Sequence, residues 1–236
     1  MTRLCRPVVA VALLLTAVAG CAQPQVKTRY FRSRTYTFSR AERATIDRIA
    51  NATAAEVGKL LPGLPPQLEL TARPGTDVIE EIGATADAMP PNFVMWTVDP
   101  AHGGGVVAIA EKDLRATLFH EFHHLVRSAA GNPRTVIEHA VSEGMATAFE
   151  RDFAGENRPW GEHPPEGSGW EKELLALPVN APIRGLNTAH PDGRRWIVCR
   201  TGTAWVDRAT ARSGRTSADL VSAPAVEILS LADVNK

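Results

Sequence analysis

Five consecutive residues, His120-Glu121-Phe122-His123-His124, are the part of this 236-residue chain best suited to chemistry. They match His-Glu-x-x-His. Residues four apart on a helix are displaced by only about 40° around its axis, so the imidazoles of His120 and His124 can reach one ion. Glu121 sits one step round, where a carboxylate can hold a water on that ion without binding the ion itself. The same helix should carry an apolar stripe of Leu114, Leu118, Phe122, Leu125 and Ala129, spaced by 4, 4, 3 and 4 residues. His120 and His124 fall almost opposite that stripe. The helix can therefore bury its leucines and still turn both imidazoles into a cleft, whereas a core histidine would lie within the stripe.

Catalytic zinc takes three protein ligands and keeps one position open. Glu143, in Val141-Ser142-Glu143-Gly144-Met145-Ala146, is the best-placed third ligand. Eighteen residues separate it from His124, enough to finish one helix, turn, and run partway along another. Ile137, Val141, Met145, Ala148 and Phe149 form the apolar side of that second helix, and Glu143 lies off it. Gly144 costs about 1 kcal/mol relative to Ala inside a helix, which implies a close helix–helix approach. Glu138 and His139 are alternatives by proximity, and His139 could instead support Glu143. Zinc on His120, His124 and Glu143 would activate a water, with Glu121 as the general base that passes its proton to a leaving amine. His163, His190, Arg194, Arg195 and Arg200 are candidate donors to the oxyanion. Substrate backbone is expected to pair with a strand at Val106–Ala110.

His-Glu-x-x-His, eighteen residues, then Glu-Gly-x-Ala resembles the gluzincins, zinc peptidases with a glutamate as third ligand. His-Glu-Phe-His-His followed by Leu125-Val126-Arg127, with Ser142-Glu143-Gly144-Met145-Ala146 downstream, is similar to a family of predicted zinc-dependent proteases of unknown function. Asp99-Pro100, Arg195-Trp196 and Val226-Glu227-Ile228-Leu229 extend the likeness over roughly Asn92 to Leu231. It implies metal on His120, His124 and Glu143 and a base at Glu121. The chain departs from that pattern at Val198-Cys199, where the family has Gly-Tyr. It also departs from the metzincin pattern, with Arg127 and Ala130 where Gly and His would stand. A Gly-Ala-Met-Glu-Asn element of the kind that holds a free amino terminus is absent, which favours an endopeptidase over an exopeptidase.

The elements that must position these residues read as α+β, zincin-like: a small N-terminal sheet on the active-site helix, then a mainly helical half. A strand is expected near Tyr36–Phe38. Ser39-Arg40-Ala41-Glu42 has capping-box spacing ahead of a helix that Pro62-Gly63 stops. Strands follow at Gln67–Ala72, Asn92–Val98 and Val106–Ala110. Helices are expected over Asp113–Ala130 and Pro133–Phe153, the second capped by Asn132, then over Trp196–Ala211 and Ala223–Leu231.

Arg3 and Arg6 precede an uncharged apolar run, Pro7–Ala19, that suits a signal peptide and is short for a membrane span. Val18-Ala19-Gly20-Cys21 resembles a lipobox, so Cys21 would be lipidated (palmitate included) and anchor the mature protein to a membrane. Ala22, in place of Asp, points to the outer membrane of a diderm cell envelope. The expected organisation is signal peptide 1–20, lipidated Cys21 and tether 21–38, and protease-like domain 39–236. Only Cys199 would then remain free, so no disulfide could form within the domain. Lys plus Arg and Asp plus Glu number 26 each, which gives no basic excess for a phosphate backbone and sets nucleic acid aside. The expectation is a membrane-anchored zinc metallopeptidase acting on a peptide or protein substrate. The rivals are an inert, zinc-stabilised surface lipoprotein that binds a partner, and a zinc amidase acting on cell-wall peptides.

Overall fold

A capping box opens the first helix: Glu42 N–H donates to Ser39 Oγ and Ser39 N–H donates back to the Glu42 carboxylate. The computed structural model describes residues 23–234, so the signal segment and Cys21 lie outside the described residues. Strand β1 (Gln25–Tyr30) leads to helix α1 (Arg40–Leu60), which crosses over to β2 (Gln67–Pro74). Ile46, Ile49, Ala50, Ala54 and Val57 make the buried face of α1. Strands β3 (Ala84–Met89) and β4 (Phe93–Val98) complete a four-stranded sheet of order β1-β2-β4-β3. The β1–β2 and β2–β4 pairs are parallel, and β3 pairs antiparallel with β4, leaving β3 on an edge.

Two strands depart from expectation. Residues 25–30 belong to the sheet and not to a tether, and Tyr36–Phe38 is irregular chain whose Phe38 ring is buried against Tyr30. Only Val26 of β1 is buried, because β1 is also an edge strand with Lys27 and Arg29 outward, so its sequence carries little alternation. Strand β3 reads Ala-Thr-Ala-Asp-Ala-Met, too poor in β-branched and aromatic residues to register as a strand.

After β4 the chain turns through Gly104 and Gly105, both at positive φ (84° and 71°), which a residue with Cβ would resist. It enters α2 (Gly105–Ile109), a π turn at Ala110–Leu114, α3 (Arg115–Arg127) and a 3-10 turn at Ser128–Ala130 as one continuous rod. Val106–Ala110 is therefore helical and not a strand. Val106, Ile109 and Ala110 are buried at helical spacing, and a five-residue apolar run cannot by itself distinguish the two states. Leu114, Leu118, Phe122 and Leu125 are buried as the stripe requires, but Ala129 is exposed beyond the end of α3. The rod runs back under the sheet, its start next to the end of β4. Its far end meets the chain ahead of β2, where a Cβ on Gly63 would stand 3.2 Å from Val126 Cγ1.

Helix α4 (Val136–Phe149) starts at a second capping box, Thr135 with Glu138, and not at Asn132-Pro133. A second π turn, Glu150–Ala154, extends it. Helices α5 (Trp170–Ala176), α6 (Ile197–Ser213) and α7 (Ala225–Leu231) surround it, and Val141, Met145, Ile197, Trp205, Val206 and Ile228 form a second core. A Cβ on Gly144 would lie 2.1 Å from the Gly202 carbonyl carbon, and one on Gly202 only 1.7 Å from the Ala140 oxygen. The backbones of α4 and α6 touch there, which is the close approach that Gly144 implied. The architecture is α+β, a small mixed sheet followed by helices. Among the described residues no helix is long and apolar enough to cross a membrane.

Candidate metal centre

Helices α3 and α4 bring His120, His124 and Glu143 together. The two imidazoles face each other through Nε2 at 3.0 Å. Glu143 presents Oε2 to His120 Nε2 at 3.5 Å and Oε1 to His124 Nε2 at 3.6 Å. The far nitrogens are occupied: His120 Nδ1 is 3.3 Å from Glu150 Oε2, and His124 Nδ1 is 3.3 Å from Ser142 Oγ. With the proton of each ring donated from Nδ1, both Nε2 lone pairs point into one space. Such a pair repels unless a proton or a metal cation stands between them. A tetrahedral zinc with bonds of about 2.0–2.1 Å has ligand-to-ligand edges of about 3.4 Å, close to the observed triangle. The donor set fits the ion.

A buried charge network stands behind these three side chains. Glu150 accepts from Arg158 Nε at 3.2 Å, and Arg158 Nη1 donates to Asp113 at 2.5 Å. Asp113 lies in the first π turn and Glu150 in the second, so Arg158 fastens together the two places where the helices widen. Asp113, Glu121 and Glu150 are buried and Glu143 is nearly so, against the two buried guanidinium groups of Arg158 and Arg127. That excess of buried negative charge favours a cation beside His120, His124 and Glu143. Glu150 escaped the sequence reading, although it lies seven residues after Glu143, two turns along the same face. Replacing Glu150 with Gln is expected to weaken zinc binding about 10- to 100-fold with the helical circular-dichroism signal retained. Competition against a chromophoric chelator measures this, and undiminished affinity would detach Glu150 from the site.

Burial opposes the charge on His120, yet Glu143 and Glu150 outweigh it and raise its pKa well above the usual 6.5. Burial also opposes ionisation of Glu143, but His124 and His120 pull its carboxyl down to about 2. Burial takes His124 down to about 4. Burial pushes Glu121 up to about 7; the nearby His120 opposes this, Glu143 and Asp87 reinforce it, and a backbone hydrogen bond from Ala88 opposes it. His123 is fully buried beside the Phe149 ring, and burial keeps it neutral as part of the core.

A cleft of about 450 Å³ opens over the ligands, lined by Glu121, His139, Cys199 and the β3 residues Thr85 to Ala88 among others. The sheet edge above the metal centre is therefore β3, the position expected of Val106–Ala110. Glu138 is occupied in capping α4, which removes it as a ligand. His139 lines the cleft one turn before Glu143. The five basic candidates for the oxyanion do not line the cleft. His163 pairs with Asp207, His190 with Asp192, Arg194 with Glu173, Arg195 with Glu81, and Arg200 with the Glu162 carbonyl. Cys199 places its buried thiol 3.8 Å from Glu143 Oε2.

Residues 67–168 match a family described as a predicted Zn-dependent protease. The match runs from β2 to beyond α4 and takes in His120, Glu121, His124, Glu143 and Glu150. No protein of curated function and no solved structure matches the chain.

Proposed function

We propose that this chain is a gluzincin-like zinc peptidase in which His120, His124 and Glu143 hold the metal and Glu121 is the general base. One observation carries the reading: two Nε2 atoms and a carboxylate converge within 3.0–3.6 Å of one another, with Glu121 beside them in the same cleft. Zinc held there supplies Lewis acidity, polarising a carbonyl and making water acidic enough to lose a proton near neutral pH. The chain supplies the rest. Glu150 and Ser142 fix both imidazole rings through Nδ1, so each offers Nε2 inward. Glu121 accepts the water's proton on its carboxylate and delivers it to the departing amide nitrogen, while the Ala88 N–H steadies it from β3. The free edge of β3 offers backbone donors and acceptors to an extended substrate, and β4 fills its other edge.

The test is metal removal. The purified protein is expected to hold one zinc per chain and to cleave casein or short peptides. Chelator should abolish that cleavage and added zinc restore it. Zinc retention without turnover of casein, peptides or peptidoglycan would favour a binding scaffold, and turnover of peptidoglycan alone would favour a wall amidase.

A further inference from the structure

Beyond His124 the cleft adjoins a recess of about 240 Å³, between the α3–α4 connection and the chain ahead of α7. Arg127 lines both spaces. It follows His124 by three residues, about 4.5 Å further along α3, and is only 7% exposed. Its Nη1 donates to the carbonyls of Val221 and Ala223 at 3.1 and 3.0 Å, which fixes the guanidinium plane. Nε and Nη2, on the adjoining edge, donate to nothing among the described residues. The buried carboxylates of the metal centre form no ion pair with Arg127, and burial draws its pKa below the usual value with no carboxylate to offset it. A buried cation met only by two carbonyls lacks a counter-charge. The edge left free is the one that grips a carboxylate through two parallel hydrogen bonds.

The rest of the recess has the same sign. Arg134 lines it from the exposed connection and has no ion-pair partner among the described residues. Asn132 stands where recess and cleft join, and because α4 starts at Thr135 its amide caps no helix. Glu138 also lines the recess, but its carboxylate already accepts from Arg134 N–H at 2.6 Å and Thr135 N–H at 3.2 Å. Two guanidinium groups therefore stand against one committed carboxylate.

We propose that this recess is a carboxylate subsite, filled by an Asp or Glu side chain from the amino-terminal side of the scissile bond. The proposal rests on the peptidase reading. Chain direction assigns the carboxylate to a side chain and not to a carboxyl terminus. Ala84 pairs with Val98, the end of β4 that feeds α2, and Met89 pairs with Phe93, so β3 runs the same way as α3, toward Arg127. Antiparallel pairing is the commoner arrangement for an added strand. A peptide so added runs from the recess toward the metal centre, and residues ahead of the scissile bond pass Arg127. A strand advances about 3.3 Å per residue, so a side chain one to three residues before the bond reaches the recess. A lysine there would meet two like charges.

The test uses peptides identical except for Glu, Gln or Lys at one of the three positions before the cleaved bond, each with a free or an amidated carboxyl terminus. Wild-type protein is expected to prefer Glu over Gln by about 10- to 100-fold in kcat/KM at the favoured position, to disfavour Lys, and to cut both forms of the terminus alike. Arg127→Lys, which keeps the charge and loses the two-pronged edge, should lower the Glu/Gln ratio about tenfold. Arg134→Gln, on the exposed connection, should lower it about threefold. A wild-type ratio near one, a Glu preference found only after the bond, or a need for the free carboxyl terminus overturns the proposal. An unchanged ratio in folded Arg127→Lys does so too. A second arm titrates zinc-loaded Glu121→Gln with the same peptides by calorimetry; the Glu peptide should bind at least about tenfold more tightly than the Gln peptide. Hydrolysis blind to charge would overturn the subsite and keep the peptidase. Charge-selective binding with no hydrolysis by wild type would overturn the peptidase and keep the subsite.

Discussion

Glu121→Gln is expected to lower kcat/KM by about 10⁴-fold while the protein keeps one zinc per chain. Glutamine has the shape of glutamate and can still accept the Ala88 N–H, but it cannot take a proton from water. The stability should move the other way from the activity. Burial raises the Glu121 carboxyl to about 7 from an ordinary value of 4.5. A group whose pKa is raised on folding stabilises the fold only while protonated, and that contribution is lost as pH rises through 4.5 to 7. The neutral amide escapes this loss, so above pH 7 chelator-treated Glu121→Gln should be more stable than chelator-treated wild type, by up to about 3 kcal/mol. A bound divalent charge favours the carboxylate and lowers its pKa. The acid limb of the wild-type pH–rate profile should therefore fall below 7. Urea unfolding, zinc analysis and initial rates measure all three effects. A variant that keeps more than a tenth of wild-type activity would remove Glu121 as the base, whatever its stability.

Much of the centre was legible because it is local. His120, Glu121 and His124 sit within one helical turn and a half, and Glu143 follows after a single helix–turn–helix, so periodicity alone brings them near. The burial of Leu118, Phe122 and Leu125 and the Gly144 contact with Gly202 follow from the same periodicity. What was not legible depends on partners far apart in the chain or on weak local signals. The Glu150–Arg158–Asp113 chain joins two π turns across 45 residues, and each member taken alone resembles a solvated surface charge. Strand β3 is held by its pairing with β4 and not by its own composition. Asn132-Pro133 and Thr135-Val136-Ile137-Glu138 are both plausible helix starts. The structure uses the second, where side chain and backbone satisfy each other reciprocally and a lone cap could satisfy only one donor.

The proposed third ligand, Glu143, gives the sharpest test of the centre itself. Glu143→Ala is expected to weaken zinc binding by at least about 10³-fold, more than the 10- to 100-fold typical of losing an outer partner, because it removes the only anionic ligand. His120 and His124 would then have to hold a dication with two neutral nitrogens, and Glu121 faces β3. Few side chains could take over. Glu138 is committed to the helix cap, and His139 lies a full turn earlier on α4. Cys199 is the nearest substitute, its sulfur 3.8 Å from Glu143 Oε2, but burial and the Glu143 charge hold its thiol well above the usual pKa. Removing Glu143 relieves part of that penalty, so residual zinc binding in Glu143→Ala should strengthen with rising pH and vanish in the Glu143→Ala/Cys199→Ser double variant. Glu143→Gln, which fills the same space without charge, separates loss of the ligand from loss of packing. Zinc content equal to wild type in Glu143→Ala would take the third ligand away from Glu143 and undo the geometry on which the peptidase reading stands.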